Sequence, residues 1–234
     1  MKMMAHEREP AILGLVAGLG VGAGIFYYRS LINAHLARGL APRMVMAHAN
    51  VQKVMSLANA RESHQLADYL VGLLEQLAGG GAQIATIPAF APQVCAQELA
   101  ERTPLPLISL LDAIVDEVTR RKLARVAVFG ARVTMETGLF GRLRQATDVI
   151  SLRPEEVECI SGIYGEIVKN EKATLAEFEA VRTLAHSLIQ RESLDAILLA
   201  GTDFSFVFDP ANADFPHLDG ARTHIDAIMA RLTC

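Results

Sequence analysis

A chain of 234 residues with 51% hydrophobic composition can bury a substantial core, as one large domain or two small ones. Its 22 basic and 26 acidic residues leave a net charge of −4 with no long block of one sign, which excludes an electrostatic footprint for nucleic acid. Three cysteines, Cys95, Cys159 and Cys234, fit no zinc spacing and are odd in number, so neither a metal site nor a disulfide framework is expected, and a reducing cytoplasm is the expected compartment.

The first feature in the chain is "AILGLVAGLGVGAGIFYY", residues 11–28, eighteen residues without a charge. A bilayer span needs roughly 20 apolar residues. Glycine fills five of the eighteen positions, four of them within residues 18–24, and crowded glycine suits a turn better than a helix. A signal peptide would need a positive leader, but "EREP" precedes the run and no small-residue cleavage site follows. The stretch therefore parses as a buried strand "AILGLVA", a glycine loop "GLGVGAG", and a helix beginning near "IFYYRSLINAHLARGL".

Farther along, "RMVMAHAN" reads as a second strand and "ESHQLADYLVGLLEQLAGG" as an amphipathic helix closed by glycines; "AQIATIP" is a third strand. "PQVCAQELAERT" is predicted helical and "PLPLISL" a short strand. "LLDAIVDEVTRRKL" is a helix with its basic residues at the favourable C-terminal end. The strand "ARVAVFGA" leads into a helix "TMETGLFGRLRQA", and "DVISL" is extended. The helices "PEEVECISGIYGEIVKN" and "TLAEFEAVRTLAHSLIQRES", the strand "DAILLAG" and the helix "GARTHIDAIMARL" complete the chain.

Strands alternating with helices imply an α/β fold with parallel sheets and loops gathered at the strands' C-terminal ends. The halves also echo each other: "AILGLVAGLG" is similar to "ARVAVFGARVTM", and "GAQIATIPAFAP" to "LDAILLAGTDFS". Two similar lobes are expected, each a parallel sheet flanked by helices, related by a pseudo-twofold with a ligand cleft between them. Residues 1–112 with 208–234 form the expected first lobe, and residues 113–207 the second.

The loop Gly18-x-Gly20-x-x-Ala23 nearly fits a dinucleotide fingerprint, but that site also wants a carboxylate at the end of the second strand. The strand ends instead in His48 and Asn50. The loop is left with two readings: backbone N–H groups that hold a small anion at a helix N-terminus, or a tight turn needing glycine for packing.

In order, "AGLGVGAGIFYYRSLI", "IPAFAPQ", "GARVTMETGLF", "IYGEIVKN", "LLAGTDF" and "DGARTH" occupy the places of conserved segments in one family. The chain resembles the aspartate/glutamate racemases over nearly its whole length. That resemblance implies a two-lobed, cofactor-independent enzyme acting on a small carboxylate-bearing molecule, a homodimer by analogy, with no membrane or nucleic-acid partner. It also implies two cysteines facing each other across the substrate's α-carbon, one thiolate removing a proton and the other thiol returning one. Ala89 stands at the first cysteine position and Gly201 at the second, and Phe90 and Ala91 replace the polar residues that follow the first. Two-thiol racemisation is therefore not expected, and the cleft should be roomier and more apolar than in the two-cysteine enzymes.

Strand ends are where other proton-carrying groups would lie. His48, Thr202 and Asp203 are the candidate acid–base residues; histidine titrates near neutrality without strong tuning, although a surface or core-edge histidine satisfied by hydrogen bonds is the more ordinary reading of His48. Asp203 is a pocket acid or a helix cap. Gly18, Gly20, Asn50, Ala89, Phe90, Ala91, Thr134, Gly201 and His224 are the expected substrate-lining positions. Asp219 and His224, five residues apart, do not stack on one helix face, so no Asp–His pair is implied. The sequence supports an isomerase, lyase or hydrolase working without thiols, with a non-catalytic metabolite- or partner-binding protein of the same fold as the alternative.

Overall fold

The computed structural model describes residues 10–233, so Cys234 lies outside the described residues. Strands β1 (Leu13–Ala17), β2 (Met44–His48) and β3 (Ile84–Thr86) form a parallel sheet in the order β2-β1-β3. Helices α1 (Val21–Ala37), α2 (Val51–Asn59), α3 (Ser63–Gly79) and α4 (Ala96–Arg102) accompany it. After α5 (Leu110–Arg121), strands β4 (Arg125–Gly130), β5 (Asp148–Val149), β6 (Ala196–Ala200) and β7 (His217–Asp219) make a second parallel sheet, ordered β5-β4-β6-β7. Helices α6 (Arg132–Glu136), α7 (Pro154–Asn170), α8 (Leu175–Glu192) and α9 (Gly220–Thr233) complete the fold. Two parallel sheets flanked by helices are what the alternation of elements predicts. No helix among the described residues is long and apolar enough to cross a membrane.

Local chemistry explains most of the boundaries. Ser109 caps α5 by accepting from the Asp112 N–H at 3.1 Å, and left-handed Lys122 ends that helix behind Arg120 and Arg121. Thr174 and Glu177 form a reciprocal capping box at the start of α8. β6, "AILLA", is buried at every residue, the pattern of a strand covered on both faces. On α3, Leu66, Leu70, Leu73, Leu74 and Leu77 recur at helical spacing and fill the first lobe's outer core.

Four boundaries differ from the sequence reading. α1 begins at Val21, so the loop is only Gly18 to Gly20 and Gly22 and Gly24 lie inside the helix. An additional helix, α2, follows β2, with Asn50 as its cap. Residues 104–110 form no strand beyond a single bridge between Leu107 and Ala85. The helix expected from Thr134 stops after Glu136, because Gly138, Leu139, Phe140 and Gly141 all take left-handed φ values of 57° to 74°.

The segment after Phe208 divides between the sheets. β7 hydrogen-bonds to β6 in the second sheet, whereas Ala221, Ile225, Ile228 and Met229 of α9 pack with Leu13, Tyr27, Leu31 and Ile84 of the first lobe. The chain's return thus stitches the lobes together. Its central polar contact is His224, fully buried, with Nδ1 3.0 Å from the Tyr27 hydroxyl and Nε2 2.9 Å from Thr86 Oγ1 and 3.1 Å from the Ile108 carbonyl. A carbonyl only accepts, so Nε2 carries the proton and Tyr27 donates to Nδ1.

Burial pushes the His224 pKa down from 6.5 to about 4, because a charged imidazole cannot be solvated there. The unfolded chain therefore binds a proton that the folded chain does not as pH falls from 6.5 to about 4. The stability of neutral His224 is fully present above pH 6.5 and is lost through that window, on the order of 3 kcal/mol by its lower end. Urea unfolding at pH 7 and pH 4.5 is expected to show this loss, and His224→Gln to flatten the difference between the two pH values while lowering stability at pH 7.

Candidate active site between the lobes

The two central strands, β1 and β6, end in glycine-containing turns that face each other. Gly18 has φ 80° and Gly20 φ 143°, and Gly20 is the cap residue of α1. A Cβ on Gly18 would lie 2.6 Å from the Ala49 carbonyl oxygen and 2.8 Å from Cε1 and Nε2 of His48. The His48 imidazole therefore rests directly on the loop, and it is exposed. A Cβ on Gly20 would lie 3.7 Å from both carboxylate oxygens of Asp203, which belongs to the turn after β6. One residue into α1, Gly22 faces the Phe206 ring at 3.1 Å and Glu171 Cγ at 3.4 Å by the same measure. Second-lobe side chains thus pack at the start of α1, and at Gly22 a side chain would crowd them.

Asp203 is 2% exposed. Its Oδ2 accepts hydrogen bonds from the Tyr164 hydroxyl at 3.1 Å and from Thr202 Oγ1 at 3.3 Å, while Oδ1 is buried with no hydrogen-bond partner. Burial is the dominant influence on this carboxyl and raises its pKa; the bonds from Tyr164 and Thr202 oppose the rise without cancelling it. Asp203 is thus a carboxyl whose ionisation burial disfavours, with one oxygen uncommitted. Thr202 is buried beside it.

At Gly201 the space for a side chain is already occupied. A Cβ there would fall 2.3 Å from Tyr164 Cε2 and 2.7 Å from Cζ, well inside contact distance. On the first lobe Ala89 is buried, and Gln93 Nε2 donates to its carbonyl at 2.9 Å. Phe90 turns into the second lobe's core, where its ring meets Gly220 and packs with Ile114. The expectation of a roomier cleft is therefore corrected: Tyr164 fills the volume at Gly201, and Phe90 packs into the core. Ala91 begins the 3-10 turn Ala91–Cys95 beyond β3.

The other sequence candidates have different surroundings. Asn50 accepts from the Lys53 N–H at 3.1 Å as the cap of α2, and its own N–H donates to the Tyr69 hydroxyl at 2.7 Å. Thr134, on α6, is fully buried with its hydroxyl unpartnered. His224 lies in the network already described. Asp219 accepts from Ser205 Oγ at 2.7 Å and the Arg222 N–H at 2.9 Å, apart from His224 as the five-residue spacing implies. Cys95 is buried, and burial pushes its thiol up to about 12, so it is an inert packing residue; Cys159 is exposed on α7. Among the described residues no group of three or more His, Cys, Asp or Glu side chains is arranged to hold a metal.

Tyr164, Phe206 and Glu171 were not singled out by the sequence. Tyr164 lies within "IYGEIVKN", on the α7 face that also carries buried Ile160 and Ile167, and a polar aromatic on an apolar helical stripe was the available signal.

The family model described as Asp/Glu/Hydantoin racemase matches residues 16–228. Among solved structures, a candidate Asp/Glu racemase from Yersinia pestis is 20% identical with a TM-score of 0.83, the match covering 96% of this chain and 100% of that one. An aspartate racemase homologue from Pyrococcus horikoshii is 18% identical with a TM-score of 0.77, covering 94% and 99%. Arylmalonate decarboxylase shares the fold at 12% identity with a TM-score of 0.52, covering 95% and 92%. With a family model matching most of its length, the chain belongs to the Asp/Glu/hydantoin racemase family.

Proposed function

We propose that this protein is an enzyme that moves a proton on a small carboxylate- or amide-bearing metabolite without a thiol, Asp203 being the acid–base group. The observation that carries this reading is the uncommitted Oδ1 of Asp203, buried at the point where the two lobes meet. Burial raises the pKa of this carboxyl, the direction that strengthens it as a base, and Thr202 supports the same carboxylate through Oδ2. The backbone N–H groups where the glycine loop enters α1 suit the substrate's own carboxylate. His48, resting on Gly18, is a second titratable group at the mouth. Because Asp203 is almost wholly covered, substrate entry requires the lobes to part.

Ala89 and Gly201 carry no exchangeable side-chain proton, which favours lyase, hydrolase or one-base isomerase chemistry over two-thiol racemisation. The same covered cleft is the observation behind a second reading, a metabolite-binding protein without turnover. Cytoplasmic residence fits the unpaired Cys95 and Cys159. A homodimer fits the exposed Val21, Ile25, Tyr28 and Leu36, which run along one side of α1.

A thermal-shift panel of D- and L-aspartate, D- and L-glutamate, phenylmalonate and hydantoin tests the substrate class. At least one compound is expected to raise the melting temperature and then to exchange or release a group in D₂O. Binding without any turnover supports the second reading. Interconversion of the aspartate or glutamate enantiomers, followed by circular dichroism, is expected to stay at the blank rate.

Asp203→Asn separates stability from activity. Asp203's folded pKa is raised, so its ionisation disfavours the folded state as pH climbs from the ordinary 3.8 through the raised value. The neutral isostere is expected to be at least as stable as the wild type in urea at pH 7, yet to lose turnover by about a hundredfold or more. A destabilised Asp203→Asn with normal turnover sinks the assignment.

A further inference from the structure

Gly201 sits at the end of β6 with an extended backbone, φ −136°, so its conformation does not demand glycine. What demands it is the Tyr164 ring, which would stand 2.3 Å to 3.0 Å from any Cβ at that position. The ring is held there by Phe204, with centroids 5.0 Å apart. From that position its hydroxyl reaches Asp203 Oδ2 at 3.1 Å, leaving Oδ1 as the free atom. Gly201, Tyr164 and Asp203 therefore form one unit. A side chain at residue 201 would have to displace the Tyr164 ring from this position, and the phenol fixes which carboxylate oxygen is available.

Resting on the proton-transfer reading above, we propose that Tyr164 is a positioning residue that takes the volume of the missing second side chain at Gly201 and turns Asp203 so that Oδ1 exchanges the proton. In that step the substrate's C–H bond breaks, its proton forms an O–H bond with Oδ1, and the electron pair stays on the substrate carbon, delocalised into the adjacent carbonyl group. Tyr164 keeps its own proton. Burial and the neighbouring Asp203 charge hold its pKa well above the usual phenol value, which keeps the hydroxyl a donor to Oδ2 throughout.

Three measurements test the unit. Gly201→Ala is expected to lower the melting temperature by about 4–10 °C in the wild-type background, the scale of an overpacked buried site, and by little in Tyr164→Ala. Equal losses in both backgrounds would overturn the shared volume. Tyr164→Phe keeps the ring and is expected to fold if Gly201→Ala does not. In protein carrying ¹³C-labelled aspartate, with Asp203→Asn assigning the resonance, Tyr164→Phe is expected to raise the Asp203 titration midpoint by about one unit, since a bond favouring the carboxylate is lost. An unmoved midpoint would overturn the positioning role.

With whichever panel compound exchanges deuterium, Tyr164→Phe is expected to lower kcat tenfold to a hundredfold, the scale of a misplaced group, and to shift the acid limb of the pH profile upward. Wild-type kcat and profile in that variant would overturn the proposal and leave the enzyme reading standing. A coupled melting temperature and a shifted midpoint, with no panel compound turned over, would uphold the unit and count against the enzyme reading instead.

Discussion

The burial of the Asp203 carboxyl beside Gly20, where the lobes meet, is the constraint on which the rest of the cleft depends. Burying a carboxyl is unfavourable unless it is protonated or hydrogen-bonded, and this one has bonds to only one of its oxygens. The fold accepts that penalty in one place and builds outward from it. β1 must end in residues able to take positive φ, so that α1 starts close to the second lobe; β6 must end in glycine, so that the Tyr164 ring can lie across it. Leaving such a group half satisfied in a well-packed interior is characteristic of functional sites rather than of cores.

The lobes are joined by a different set of contacts from those that build the cleft. His224 is a substrate-lining candidate by sequence, yet it is sealed among Tyr27, Thr86 and the Ile108 carbonyl and held neutral. Its work is to bind α9 to α1, β3 and the chain between the lobes. Asp219 likewise anchors Ser205 and the start of α9. These polar networks lie away from the cleft, where Gly20 lies beside Asp203 and Gly22 faces Phe206.

Much of the architecture was legible because parallel strands buried on both faces leave an apolar run such as "AILLA", and amphipathic helices leave a period such as that of α3. Short elements were not. β7 is too brief for a period to declare itself, and the left-handed turn at Leu139 and Phe140 has no compositional mark beyond its flanking glycines; α2 does carry Val51, Val54 and Ala58 at helical spacing, a signal that the strand-and-loop reading of this stretch passed over. At the cleft, the sequence showed that proton-bearing groups are missing at Ala89 and Gly201. It did not show what fills the second position, because Tyr164 reaches Gly201 from a helix 37 residues earlier, and only packing reveals that a ring has taken the space. Phe90 misled for the same reason: residue identity at a strand end does not say whether a ring faces the cleft or the core.

The proton chemistry proposed for this cleft rests on a carboxyl and not on sulfur. It is tested most directly by deuterium uptake from D₂O into the compound selected by thermal shift, comparing wild type with a cysteine-free protein carrying Cys95→Ala, Cys159→Ser and Cys234→Ser. The account predicts wild-type exchange in the cysteine-free protein. Loss of exchange on removing the cysteines, in a protein whose melting temperature is unchanged, would contradict it and return the chemistry to a thiol.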